Sequence, residues 1–95
     1  MNAVIPQRIE KEQLPSVSFV KGEVLSDNEA IQTRNASLQR ACTFGNNYKG
    51  KVKIAFSTHE GPMEVYTTIW TVSNGHVSLK NGAHIPVHSI YQVML

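Results

Sequence analysis

The sequence predicts a mainly β (α+β) single domain: a small antiparallel β-barrel of four to five strands, preceded by one amphipathic helix and an N-terminal extension. Three observations predict it. From Lys51 to Val93 apolar residues alternate with polar ones in short runs, the period of half-buried strands. Two Asn-Gly pairs, Asn74-Gly75 and Asn81-Gly82, punctuate those runs as hairpin turns. The chain has 95 residues, enough for one core and no second. The expected layout is an extension over residues 1–25, a helix within 26–44 and the barrel over 50–95.

The extension holds Val4, Ile5, Ile9, Leu14, Val17, Phe19, Val20, Val24 and Leu25, too many apolar groups for a solvated tail. Pro6 and Pro15 forbid one long helix through it. A helical turn at 7–13 and a strand at 16–20 ending at Lys21-Gly22 are expected, packed on the barrel or on a second subunit. The helix, at about 27–43, starts from a capping box of Ser26 and Glu29 and stops at Gly45. Ala30, Ile31, Leu38, Ala41 and Cys42 form its apolar face. Asn35-Ala36-Ser37 matches a glycosylation sequon inside that helix, and chance explains it.

The first strand is Lys51–Ser57, with Val52, Ile54 and Phe56 on one face. The second, Met63–Ser73, is apolar on both faces and so expected to be covered twice. A two-residue turn at Asn74-Gly75 pairs Ser73 with His76, Val72 with Val77 and Trp70 with Leu79, placing Trp70 in the core. A three-residue loop at 81–83 then pairs Leu79 with Ile85 and Val77 with Val87, with His76 opposite His88 and Lys80 opposite His84. Pro86 cannot donate to a ladder and marks an edge. A tight turn at 86–89 leads to a closing strand carrying Ile90 and Val93.

The pattern Val77-x-Leu79-x-x-Gly82-x-x-Ile85-Pro86-x-x-x-Ile90-x-x-Val93 resembles the C-terminal half of SH3-like and Sm-like small barrels, and the stretch 45–93 is similar to small uncharacterised bacterial proteins with the same strand-turn-strand signature. It covers about half the chain. The resemblance implies a fold and no activity, because small barrels serve many functions.

Net charge is +2, and its placement is uneven. Up to Phe44 five bases balance five acids; beyond it Lys49, Lys51, Lys53 and Lys80 face only Glu60 and Glu64. Tyr48, Lys49, Lys51, Lys53 and Lys80 therefore form a candidate nucleic-acid surface, with Tyr66 or Tyr91 as platforms on which bases stack. The surplus apolar residues Val17, Phe19, Val20, Val65 and Ile69 form a candidate protein interface. The leading expectation is a non-catalytic binding or oligomerising module whose partner is a protein, the chain itself included. The alternative is weak single-stranded nucleic-acid binding along Lys49–Lys53.

His76 and His88, as cross-strand neighbours with His84 and His59 as further candidates nearby, carry imidazoles suited to a transition metal. A structural site takes about four ligands, and the sequence has neither HxH nor HExxH, so surface histidines without a metal are expected. Cys42 falls on the helix's apolar face, Glu60 and Glu64 lack a partner acid, and the stretch 45–50 is a turn-rich linker that cradles no phosphate. Neither catalysis nor a cofactor is expected. One cysteine makes no internal disulfide. With no signal peptide and no apolar run of spanning length, the expected location is the cytoplasm, away from membranes.

Overall fold

The helix is the longest element and runs past the glycine expected to stop it. In the computed structural model, which describes residues 5–95, α1 spans Asn28–Tyr48. Its N-cap is Asp27, one residue beyond Ser26, and the Asp27 carboxylate accepts from the Glu29 amide at 3.3 Å. At the other end Lys49 closes the helix in the left-handed region (φ 54°), its amide donating to Gly45 O at 2.9 Å. Gly45 serves packing instead. A Cβ there would lie 2.3 Å from the backbone oxygen of Ile69, so only glycine lets the helix approach that strand so closely.

The extension wraps its own domain. Val4 lies outside the described residues. The helical turn expected at 7–13 is instead a short strand, β1 (Gln7–Arg8), parallel to β3 (Gly61–Thr67), followed by a 3₁₀ helix at Lys11–Ser16. The Gln13 side chain accepts from the Glu10 amide at 2.8 Å and fixes the start of that turn. Ile9 and Leu14 are buried in the core. The strand expected at 16–20 reduces to a single bridge between Phe19 and Thr58.

Among the described residues seven strands form two sheets, neither closed into a barrel. The first has the order β1-β3-β2-β7, with β2 (Val52–Thr58) between β3 and the closing strand β7 (Ile90–Met94). The second has the order β4-β5-β6, with β4 at Ile69–Ser73, β5 at His76–Leu79 and β6 at His84–Pro86. The single strand expected over 63–73 therefore breaks at Thr68 and contributes one half to each sheet.

Asn74 and Gly75 both take positive φ (54° and 75°), as a type I′ turn requires, and Ser73–His76 and Val72–Val77 pair as expected. Trp70 does not face Leu79. Ile69 does, and the register then slips to Thr71–Ser78, which makes Trp70 the extra residue of a β-bulge. Ile69 takes the core position at 0% exposure and Trp70 turns out at 52%. The second hairpin has a three-residue loop, but it is 80–82. Its last residue, Gly82, is left-handed (φ 88°), so the loop starts one residue earlier and Val77 pairs with Ile85, His76 with Pro86 and Ser78 with His84. The slide is two residues along the partner strand, an even number, so inward and outward faces are kept. A 3₁₀ turn at Val87–Ser89 leads into β7, with β6 at the edge of its sheet.

Leu38, Val52, Ile54, Phe56, Val65, Ile69, Val77, Leu79, Ile85 and Ile90 form the centre of the core, each at most 1% exposed. Burying such a side chain stabilises by about 1.5–3 kcal/mol. Thr67 Oγ1 is buried there without a hydrogen-bond partner. Thr67→Val removes that desolvated hydroxyl and is expected to raise stability by about 1 kcal/mol, read as a higher melting temperature.

Candidate functional site

The C-terminal end of α1, the bulge in β4 and the loop after β5 meet at one end of the molecule. Gly45 brings the helix against β4, the left-handed cap turns Lys49 toward it, and the bulge directs Trp70 outward. The Lys80 amide donates to Thr68 O at 3.3 Å and holds the loop beside them. Gly45, Asn46, Lys49, Thr68, Trp70 and Lys80 line a cleft of about 270 Å³. Its lining has two cations, one amide and one indole, and no acid.

Further aromatic rings are exposed. Tyr48, the last residue of α1, is 75% exposed, and its ring lies 5.9 Å from that of Phe44. Lys51 follows, its ammonium 5.9 Å from the centre of the half-exposed Tyr66 ring. Lys53 is half-buried on β2, opposite Tyr66 on β3 and Met94 on β7. Glu64, two residues along the strand from Tyr66, is paired with Arg8 at 2.6 Å. Tyr48, Lys49, Lys51 and Lys80 are exposed and Lys53 is half-buried; of these the cleft brings together Lys49 and Lys80. Tyr91 is half-buried, and burial first, then the Glu64 charge, push its phenol above the ordinary range. It presents less ring face than Tyr66.

The residues expected to form a protein interface are largely consumed within the chain. Val65 and Ile69 are 1% and 0% exposed and have no surface to offer. Val17 and Phe19 pack against the core, Phe19 with its ring centre 5.4 Å from that of Phe56. Val20 is half-buried, and its carbonyl accepts from His88 Nε2 at 2.9 Å. A 95-residue domain with a long helix over open sheets buries more apolar residues than a small barrel alone.

His76 and His88 do not face each other; His76 stands beside Pro86 and close to His84. Among the described residues no three His, Cys, Asp or Glu side chains converge as a metal cage. Cys42 is half-buried, and its thiol donates to Trp70 O at 3.3 Å, tying the helix to the bulge. No helix of the described residues is long and apolar enough to cross a membrane.

Of the candidate residues the cleft holds Lys49 and Lys80, and it adds Asn46 and Trp70, which were not among them. The stretch 45–50 read as a turn-rich linker, although the spacing from Ala41 to Gly45 to Tyr48 continues the helix through Tyr48. Comparison of the chain with family models, curated proteins and solved structures finds no match.

Proposed function

We propose that the protein is a non-catalytic module that binds single-stranded nucleic acid through Trp70, Lys49 and Lys80 of the cleft and the exposed Tyr48, Tyr66 and Lys51. The observation that carries this reading is the exposed Trp70 ring beside Lys49 and Lys80 in a cleft that no acid lines, with Lys51 over the exposed Tyr66 ring as a second such pair. Bases stack on aromatic rings for about 1–3 kcal/mol each, whatever their identity, and lysines follow the backbone phosphates. An SH3-like or Sm-like small barrel is the finer fold reading. It is supported by the path of the chain, in which strands β2 to β6 succeed one another, a 3₁₀ turn follows, and β7 returns to pair with β2.

Trp70 is the sole tryptophan, so its fluorescence reports binding directly. Titration with single-stranded oligonucleotides at low salt is expected to quench it. The affinity should fall with salt at a slope of roughly −0.7 per phosphate neutralised. Lys49→Glu with Lys51→Glu should reduce both affinity and slope, and Trp70→Ala, followed by anisotropy of a labelled strand, should weaken binding by about 5–150-fold. Binding that is absent at low salt, or indifferent to these variants, would overturn the reading.

Self-association through strand edges is the second reading, supported by the edge positions of β6 and β7 and by exposed Met94 and Leu95. It ranks below the first because both edges are blunted. Pro86 lacks a donor on β6, and Arg34 already occupies Ile90 O on β7 at 3.1 Å. Light scattering across protein concentrations decides it, since a constant monomer mass rules it out.

A further inference from the structure

The outer face of the β4-β5-β6 sheet carries a second cluster, which shares no lining residue with the cleft. Two features of the hairpins build it. The type I′ turn fixes His76 opposite Ser73, and the early start of the second loop fixes His84 opposite Ser78. His76 and His84 are thereby diagonal neighbours on one face, their rings edge-to-face with centres 6.3 Å apart. Ser73, Asn74, His76, Ser78 and His84 line a shallow, open hollow of about 380 Å³, and no Lys, Arg, Asp or Glu lines it.

The hydrogen bonds of the two rings are what give the cluster chemistry. His76 Nδ1 lies 3.1 Å from Asn74 O, and a carbonyl only accepts, so the proton sits on Nδ1 and the Nε2 lone pair is free. His84 Nδ1 lies 3.1 Å from Ser78 Oγ. A hydroxyl accepts as readily as it donates, so this ring can hold its proton on Nδ1 and free its Nε2 as well. A backbone carbonyl or hydroxyl on Nδ1 is the outer contact that orients a metal-binding imidazole. Both rings are exposed. Binding one ion at about 2.0–2.1 Å requires the two exposed rings to turn about χ so that both Nε2 atoms meet it.

The geometry points to a two-imidazole metal site on this sheet face, in which His76 Nε2 and His84 Nε2 bind one borderline divalent ion of the Zn²⁺ or Cu²⁺ class, with water completing the coordination. Imidazole without carboxylate selects against Mg²⁺ and Ca²⁺, which require oxygen ligands. The other histidines are unsuited to join it. His88 Nε2 is committed to Val20 O, and His59 sits in the turn between β2 and β3. The site is independent of the nucleic-acid reading.

Zn²⁺ titration of the full chain tests it, by calorimetry and by ¹⁵N-imidazole NMR. One ion per chain is expected, with the Nε2 signals of His76 and His84 moving together while those of His59 and His88 stay. His76→Ala and His84→Ala should each weaken binding at least tenfold, and Ser78→Ala should weaken it by about 10–100-fold through loss of the outer contact. All three positions lie on the solvent side of the sheet, and unchanged melting without metal would confirm that the variants fold. The proposal fails if Zn²⁺ does not bind at millimolar concentration. It fails equally if either histidine variant keeps the parent affinity, or if all four imidazoles respond alike.

Discussion

Gly45→Ala is expected to destabilise the protein by about 2–3 kcal/mol, although alanine is the better helix former by about 1 kcal/mol. Gly45 lies inside α1, and the added carbon would sit 2.3 Å from Ile69 O and 3.1 Å from a Thr68 methyl. Ile69 is part of β4 and wholly buried, so its backbone cannot yield without disturbing the second sheet. The helix must lift instead, and it carries Leu38 and Ala41 out of the core with it. Gly50→Ala is the informative contrast. There the added carbon would come within 1.9 Å of the Phe44 ring, a nearer approach, yet that ring is 37% exposed and can swing into solvent. Gly50→Ala should therefore change stability by less than about 1 kcal/mol. Urea unfolding of the two variants ranks them against the order of the distances. Because Gly45 and Trp70 line the same cleft, only Gly45→Ala should also shift the Trp70 emission.

What the sequence made legible was whatever one strand or one turn decides by itself. Asn74-Gly75 dictates its own backbone, so the register beside it was readable, as were the buried faces of Val52, Ile54 and Phe56 and the closing strand after Pro86. Features that depend on two elements at once were not. Whether Gly45 stops a helix or lets it approach a strand depends on Ile69, which is distant in sequence. The bulge at Trp70 arises because β4 must offer Ile69 to the core and still meet the Asn74-Gly75 turn in register. A period-two reading has no place for the extra residue, so it put Trp70 in the barrel core and Ile69 on the opposite face, under the helix. The candidate site suffered for the same reason. Its lysines were visible as residue types, but the ring they surround was assigned to the interior. The second loop shows the narrowest failure, since its length was legible and its start depended on which position the left-handed Gly82 fills.

Removing Glu23 is expected to cost more than removing its partner Arg34, which reverses the usual ranking by side-chain size. The Arg34 guanidinium is 4% exposed and forks onto the Glu23 carboxylate at 2.6 and 2.9 Å, while Nη1 also donates to Ile90 O at 3.1 Å. It thus fastens the segment before α1, the helix and β7 together. Glu23 is one-third exposed and can rehydrate when abandoned; the guanidinium cannot. Glu23→Ala leaves a buried cation without a counter-charge, at a cost of about 3 kcal/mol, the low end for a broken buried pair because one partner reaches solvent. Arg34→Met keeps an apolar stem in the same space, loses the bonds to Ile90 O and Asn35 Oδ1 and frees Glu23 to rehydrate, at about 1–2 kcal/mol. Arg34→Lys should not restore the parent stability, since an ammonium cannot fork onto both oxygens. The Arg34 hydrogen bond, together with backbone donors from Leu25 and Val24 and against the cost of burial, holds the Glu23 carboxyl below its ordinary value of 4.5. A carboxyl depressed in the native state stabilises fully above the unfolded value and loses that contribution as pH falls through the native one. The stability gap between the parent and Glu23→Gln should therefore be complete at pH 7, begin to close below about pH 4.5 and vanish in stronger acid. Denaturant unfolding at pH 7 and pH 3 measures it. A gap that stays constant with pH would mean that Glu23 contributes its shape and hydrogen bonds without its charge, and the buried-cation account of Arg34 would fall with it.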